Sequence, residues 1–78
     1  MRLPELPHDT PATVLEVENA AAVDPIAGRL RELGFVAGEA VRVIARGPFG
    51  HDPLLVQIGY TRFALRRAEA ARIRVATT

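Results

Sequence analysis

Two His-Asp pairs are the residues of this chain whose types could bind a metal ion. His8 precedes Asp9 near the N-terminus, and His51 precedes Asp52 in a segment rich in Gly and Pro. Imidazole and carboxylate groups together suit a divalent transition metal. A first-row metal site needs three or four converging ligands, however, and two adjacent residues do not readily point at one ion. We therefore expect solvated loop residues here, and the sequence predicts no metal site and no cofactor.

The segment from Gly47 to Pro53 is the second place where the sequence offers chemistry. Its glycines are typical of a phosphate-binding loop, but no Gly-Lys-Ser/Thr motif is present and no helix follows to offer its N-terminus. The chain contains neither Ser nor Cys, so it cannot form a serine or cysteine triad, and its carboxylates are scattered rather than paired. These features predict a binding module and not an enzyme.

Phe49 is the residue of this segment best suited to contact a protein partner. Pro48 restricts the backbone, the glycines on either side allow tight bends, and a loop does not oblige an aromatic side chain to face the core. An aromatic residue on a preformed loop is an efficient anchor. The alternative is that Phe49 folds inward and plugs one end of the fold, since the chain has only three Phe and one Tyr.

Length and composition limit what the chain can be. Its 78 residues, 49% hydrophobic and 24% charged, indicate one globular domain, and the net charge of +1 indicates no particular partner. Without Cys, disulfides and thiolate metal sites are excluded. The apolar runs are far shorter than the roughly 20 residues needed to cross a bilayer, and the N-terminus lacks the apolar segment of a signal peptide. We expect a cytoplasmic protein that does not insert into membranes.

Charge is unevenly distributed along the chain. Residues 1–39 carry three Arg against seven acidic residues, a balance of −4, whereas residues 62–78 carry five Arg against one acid, a balance of +4. Such asymmetry can dock a charged partner, or can pair two copies head to tail in a weak homo-oligomer. The alternative is that the arginines only occupy the solvent faces of two strands, because apolar residues alternate with Arg62, Arg66, Arg72 and Arg74.

A capped helix is predicted between Asp24 and Gly34. Asp24 can accept hydrogen bonds from the free amides of the first turn, and Pro25 suits the first helical position. Gly34 suits the left-handed residue that follows a helix, and Phe35 would then pack back on Leu30. One apolar stripe is formed by Ile26, Leu30 and Leu33.

Five short strands are predicted from the alternation of apolar and polar residues, the first over residues 12–18. The expected inward residues are Leu15 and Val17; Val41, Val43 and Ala45; Leu54, Val56 and Ile58; Phe63 and Leu65; and Ile73 and Val75. Because closing a small sheet hides its edges, we predict a mainly β, SH3-like barrel with one short α-helix between strands 1 and 2. It would be a single domain over residues 1–78, with residues 1–10 as a partly ordered lead-in.

The order and spacing of several motifs resemble the FeoA family and cover most of the chain. The motifs are Arg29-Leu30-x-x-Leu33-Gly34-Phe35-x-x-Gly38, Val41-x-Val43-Ile44, Gly47-Pro48-Phe49-Gly50 with Asp52-Pro53-Leu54, and Ala64-Leu65-Arg66 with Glu69-Ala70 and Ile73. The resemblance implies an SH3-like fold, a supporting role in bacterial ferrous iron uptake, and a partner, the cytoplasmic part of the membrane permease FeoB. The domain type is also similar to the C-terminal module of iron-dependent repressors.

The chain departs from the family pattern at two turns. The family usually has Pro-Gly in the lead-in and again after the helix, where this chain has His8-Asp9 and Ala37-Gly38. Gly38 keeps the residue that tolerates positive φ. We expect Asp9 to support the first turn through a side-chain hydrogen bond to the backbone.

The leading hypothesis is a non-enzymatic accessory protein that binds the permease and shifts the population of its transport-competent conformations. The predicted partner-binding residues are Arg46, Pro48, Phe49, His51, Asp52, Arg66 and Arg67. Arginine suits bidentate docking on carboxylates. The alternative is a regulatory or nucleic-acid-binding module. Residues 62–78 offer only Phe63 as an aromatic, and it is predicted to face inward, so we expect no nucleic-acid partner.

Overall fold

Five antiparallel strands form one sheet in the computed structural model, which describes all 78 residues, and their order is β4-β3-β2-β1-β5. The elements are a short 3-10 helix Leu3–Glu5, β1 Ala12–Val17, α1 Pro25–Glu32, β2 Ala40–Arg46, β3 Leu54–Ile58, β4 Thr61–Leu65, α2 Arg67–Ala70 and β5 Ile73–Thr77. The mainly β class and the helix between the first two strands are therefore confirmed. The sheet does not close, because β4 and β5 are its two ends. Neither helix has the length to span a lipid bilayer.

Helix α1 begins and ends as predicted. Asp24 accepts hydrogen bonds from two amides of the first turn at 3.1 and 3.2 Å, and Pro25 occupies the first position. Gly34 has a φ of 110°, and the Phe35 amide donates to the Leu30 carbonyl at 3.1 Å. This hydrogen bond and the left-handed glycine define a Schellman motif, which turns the chain so that Phe35 enters the core.

Two β-bulges change which residues face the core. The register of β1 on β5 shifts between Val14 and Glu16, so Leu15 is the extra residue and is 41% exposed. The register of β2 on β3 shifts between Val43 and Ala45, and Ala45 is exposed. The predictions that Leu15 and Ala45 face inward are wrong, because an extra residue reverses the alternation beyond it.

The core consists of 17 buried residues, all of them apolar. Thirteen of them lie in the five strands and α1, Phe35 follows α1 and Ala70 lies in α2. The lead-in also contributes Leu3 and Leu6, which are fully buried. Arg46 at the end of β2 holds this segment, since its guanidinium donates to the Pro4 carbonyl at 3.3 Å and to the Leu6 carbonyl at 2.5 Å. The sequence pattern assigned no core residue to the lead-in.

The two turns at which the chain departs from Pro-Gly each contain a residue with a positive φ. Gly38 has a φ of 93°, as predicted, and Asp9 has a φ of 54°. The Asp9 amide donates to the Val43 carbonyl at 2.7 Å, and its carboxylate pairs with Arg42 at 3.4 Å. Asp9 therefore serves this turn through its backbone, and the predicted side-chain hydrogen bond to the backbone does not form.

The carboxylate of Asp24 also joins the helix to β5. Its Oδ2 atom accepts from the Ala20 amide at 2.7 Å and from Nε of Arg72 at 2.7 Å. The hydrogen bond from Ala20, with those from Arg72 and the helix amides, lowers the pKa of Asp24 from 3.8 to about 2. Because the folded-state pKa lies below the ordinary value, the charge of Asp24 stabilises the fold above pH 3.8, and this contribution is lost as the pH falls toward 2.

We predict that Asp24→Asn lowers the free energy of unfolding near neutral pH and that the difference from the wild-type protein shrinks as the pH falls from 3.8 through about 2. Chemical denaturation across this pH range measures the difference directly. Glu32→Gln is the matched control, because Glu32 is exposed at the end of α1 and makes no ion pair. A wild-type advantage that persists unchanged at pH 2 would contradict the assignment.

Truncating Leu6 should destabilise the fold more than truncating Leu15, because Leu6 is buried and the bulge in β1 exposes Leu15. Leu6→Ala should lower the free energy of unfolding by about 2–5 kcal/mol because it leaves a cavity in the core. Leu15→Ala removes the same atoms from an exposed position and should cost less than about 1 kcal/mol. Equilibrium denaturation of both variants checks the order, and an equal loss would show that Leu15 packs inside.

Candidate functional site

The loop over residues 47–53 is held in one shape by its own backbone. The Gly47 amide donates to the Pro53 carbonyl at 2.7 Å, and the Asp52 amide donates to the Phe49 carbonyl at 3.2 Å. A Cβ atom on Gly47 would lie 2.5 Å from the Asp52 carbonyl oxygen, so this position admits no side chain without rearrangement. His51 adopts a positive φ of 66°. The loop is thus a defined platform rather than a loose connection.

Phe49 projects from this platform into solvent. Its side chain is 79% exposed, and the neighbouring Pro48 and His51 are exposed as well. The alternative in which Phe49 plugs one end of the fold is therefore not what the chain adopts. Phe35 is the phenylalanine that fills the core, with Phe63 packed against it at a ring centroid distance of 6.0 Å.

Asp52 connects the loop to the start of α2. Its Oδ1 atom accepts from the Arg67 amide at 2.9 Å, and the Arg67 guanidinium lies 3.5 Å from the Gly50 carbonyl oxygen. Glu69 accepts from the Arg66 amide at 2.9 Å, which fixes the first turn of α2. The loop and the two arginines therefore form one continuous surface although some 15 residues separate them in the sequence.

Six of the seven residues predicted for partner binding lie in this region: Pro48, Phe49, His51, Asp52, Arg66 and Arg67. We call this region the loop surface. Arg46, the seventh, is not part of the loop surface, because its half-buried side chain donates hydrogen bonds to carbonyls of the lead-in. The structure brings together no group of three or more His, Asp or Glu side chains that could hold a metal ion.

Ion pairs within the chain neutralise part of the charge asymmetry of the sequence. The pairs are Arg72–Asp24, Arg74–Glu16, Arg29–Glu69, Arg42–Asp9 and Arg2–Glu18. Arg72 and Arg74 are thus paired and half-buried, whereas Arg62, Arg66 and Arg67 are exposed and make no ion pair. Three of the five arginines without an ion pair therefore lie on β4 and at the start of α2.

Tyr60 is a surface residue to which the sequence assigned no role. It is fully exposed in the two-residue connection between β3 and β4. A two-residue hairpin connection was recognisable from the sequence, and such a turn leaves its side chains no strand face to pack on. Tyr60 also borders the largest cavity, of about 480 Å³, whose one charged residue, Arg42, is already paired with Asp9.

The family profile and the solved structures that match this chain agree with each other. The sequence profile of the FeoA domain matches residues 1–77. The zinc complex of FeoA from Stenotrophomonas maltophilia, described as a prokaryotic SH3 domain protein and suggested as a ferrous iron transport activating factor, is 59% identical. That alignment covers 97% of this chain and 89% of the other, with a TM-score of 0.90. No curated protein matches the chain.

Two further solved structures share the fold. The FeoA protein from Chlorobium tepidum is 33% identical over 99% of this chain and 70% of its own, with a TM-score of 0.81. A manganese-dependent transcriptional repressor is 20% identical over all of this chain and 41% of its own, with a TM-score of 0.82, and at that identity it shows the fold alone. With the profile match over nearly every residue and the 59% identity, the chain belongs to the FeoA family.

Proposed function

We propose that this chain is a non-enzymatic, cytoplasmic accessory protein of ferrous iron uptake, and that it binds the cytoplasmic part of a FeoB-type permease through the loop surface. The observation that carries the proposal is the pairing of one exposed aromatic, Phe49, with two unpaired arginines on a braced backbone. The suggested role of the Stenotrophomonas maltophilia relative in ferrous iron transport supports the choice of pathway.

The composition of the loop surface suits a protein partner. Interface hot spots are enriched in aromatic residues and in Arg, and they depend on residues that are already in place before binding. Phe49 offers an apolar anchor, and Arg66 and Arg67 offer guanidinium groups for carboxylates of the partner. Binding of this kind would favour one conformation of the permease by the difference in affinity between its states, without the chain carrying iron itself.

The regulatory or nucleic-acid alternative has less support. Phe63, the aromatic within residues 62–78, is half-buried against Phe35 instead of interleaving with the arginines. Arg72 and Arg74, which contribute to the basic cluster of the sequence, are engaged by Asp24 and Glu16. Likeness to the repressor concerns the fold and adds no residue that would contact bases.

We predict that Phe49→Ala combined with Arg66→Glu weakens binding to the purified permease by about thirtyfold or more, because an aromatic anchor and a charge contact are both lost. Calorimetry or surface plasmon resonance with the permease in detergent measures the affinity. Val23→Ala is the matched control, since Val23 is 82% exposed but lies outside the loop surface.

The contribution of Arg66 to the affinity should depend on salt concentration. The loss caused by Arg66→Glu alone should shrink as salt is added, because exposed charges are screened beyond a Debye length of about 8–10 Å. If the double variant binds with wild-type affinity, the loop surface is not the binding surface. If the wild-type protein does not bind, the permease is not its partner.

A further inference from the structure

The outer edge of β4 is the one long strand edge that the chain leaves uncovered. At the opposite end of the sheet, the N-terminus covers β5. Met1 and Val75 exchange two backbone hydrogen bonds at 2.9 and 3.2 Å, and the backbones of Arg2 and Arg74 form an isolated antiparallel β-bridge. Strand β4 pairs with β3 alone, and no other strand lies beside it.

The register shows which backbone groups of β4 are free. The Gly59 amide donates to the Ala40 carbonyl of β2 at 3.2 Å, so in β3 the odd-numbered residues serve β2 and the even-numbered residues serve β4. Ile58, Val56 and Leu54 lie opposite Thr61, Phe63 and Leu65, which therefore form the ladder. The amides and carbonyls of Arg62 and Ala64 point away from the sheet, and neither takes part in any other backbone hydrogen bond.

The side chains along this edge define what could pair with it. Strand β4 contains no acidic residue, its Arg62 is exposed and unpaired, and the chain continues directly into the unpaired Arg66 and Arg67. On the inner face, Phe63 is only half-buried against the core. The outer face of the edge is thus positively charged, and the inner face offers an incompletely covered aromatic ring.

We propose that β4 accepts an extended acidic segment of the protein partner as a sixth strand, with carboxylates at alternate positions beside Arg62 and an apolar residue between them over Phe63. Backbone hydrogen bonds to Arg62 and Ala64 would supply affinity, and the alternation would supply selectivity. The inference rests on the proposed function, since the edge runs directly into Arg66 and Arg67 of the loop surface and would extend the same contact.

Charge argues against a second copy of this chain as the occupant. Pairing of β4 with β4 of another copy would line one seam with Arg62 and Arg66 from both molecules and would bring no carboxylate from either strand. Like charges across paired strands are destabilising. An acidic segment removes this repulsion and neutralises the arginines.

Proline substitution tests the edge without removing the internal ladder. Ala64→Pro deletes an amide that points away from β3, whereas Ala64→Thr keeps that amide and serves as the matched control. We expect Ala64→Pro to bind the purified permease about tenfold more weakly than Ala64→Thr, with circular dichroism confirming that both are folded. Arg62→Glu should weaken binding by a similar factor, and Arg62→Gln by less.

Amide hydrogen exchange of the wild-type protein gives a readout that needs no variant. The Arg62 and Ala64 amides should exchange rapidly in the free chain and at least about tenfold more slowly with the permease bound. If the permease binds but these amides stay unprotected and Ala64→Pro binds like Ala64→Thr, the edge proposal is overturned while the proposed function stands. If the wild-type protein does not bind, both fail. Protection in concentrated free protein would identify a second copy as the occupant and overturn the acidic segment.

Discussion

The core of this chain depends on a segment that lies outside the sheet, and hydrogen bonds from Arg46 help to hold that segment in place. A five-stranded sheet that does not close leaves part of its apolar face open, and Leu3 and Leu6 cover it. Their segment forms only a short 3-10 helix, so its position depends on external hydrogen bonds. Arg46 supplies two of them by donating to the carbonyls of Pro4 and Leu6. A residue that looks like part of a binding surface in the sequence thus serves the stability of the fold.

Ion pairing decides where charge remains available. Acids of the first half of the chain meet arginines of the second half at Asp24–Arg72 and Glu16–Arg74, so part of the charge asymmetry is neutralised inside the molecule. These pairs remove charge from the surface that a partner meets. Of the arginines without an ion pair, Arg62 lies on β4, and Arg66 and Arg67 lie at the start of α2, beside the braced loop that carries Phe49.

Local signals in the sequence predicted the local structure well. The cap at Asp24, the glycine at Gly34 and the return of Phe35 act over a few residues, so their types and spacing were enough. Leu15 was assigned to the wrong face because a bulge depends on how β1 meets β5, which is far away in the sequence. The bridge from Asp52 to the Arg67 amide depends on tertiary structure in the same way. The sequence was enough to propose the loop over residues 47–53 and the two arginines as binding residues, but it could not predict the contact between them.

That single bridge also bears on the thermodynamics of association. A flexible loop would have to surrender conformational freedom when it docks, and the resulting entropic penalty would be subtracted from affinity. In this chain the hydrogen bonds of Asp52 and of the backbone from Gly47 to Pro53 fix the loop on folding, so the entropy is lost before any partner binds. Docking through a loop fixed in this way would therefore cost less conformational entropy than docking through a flexible one.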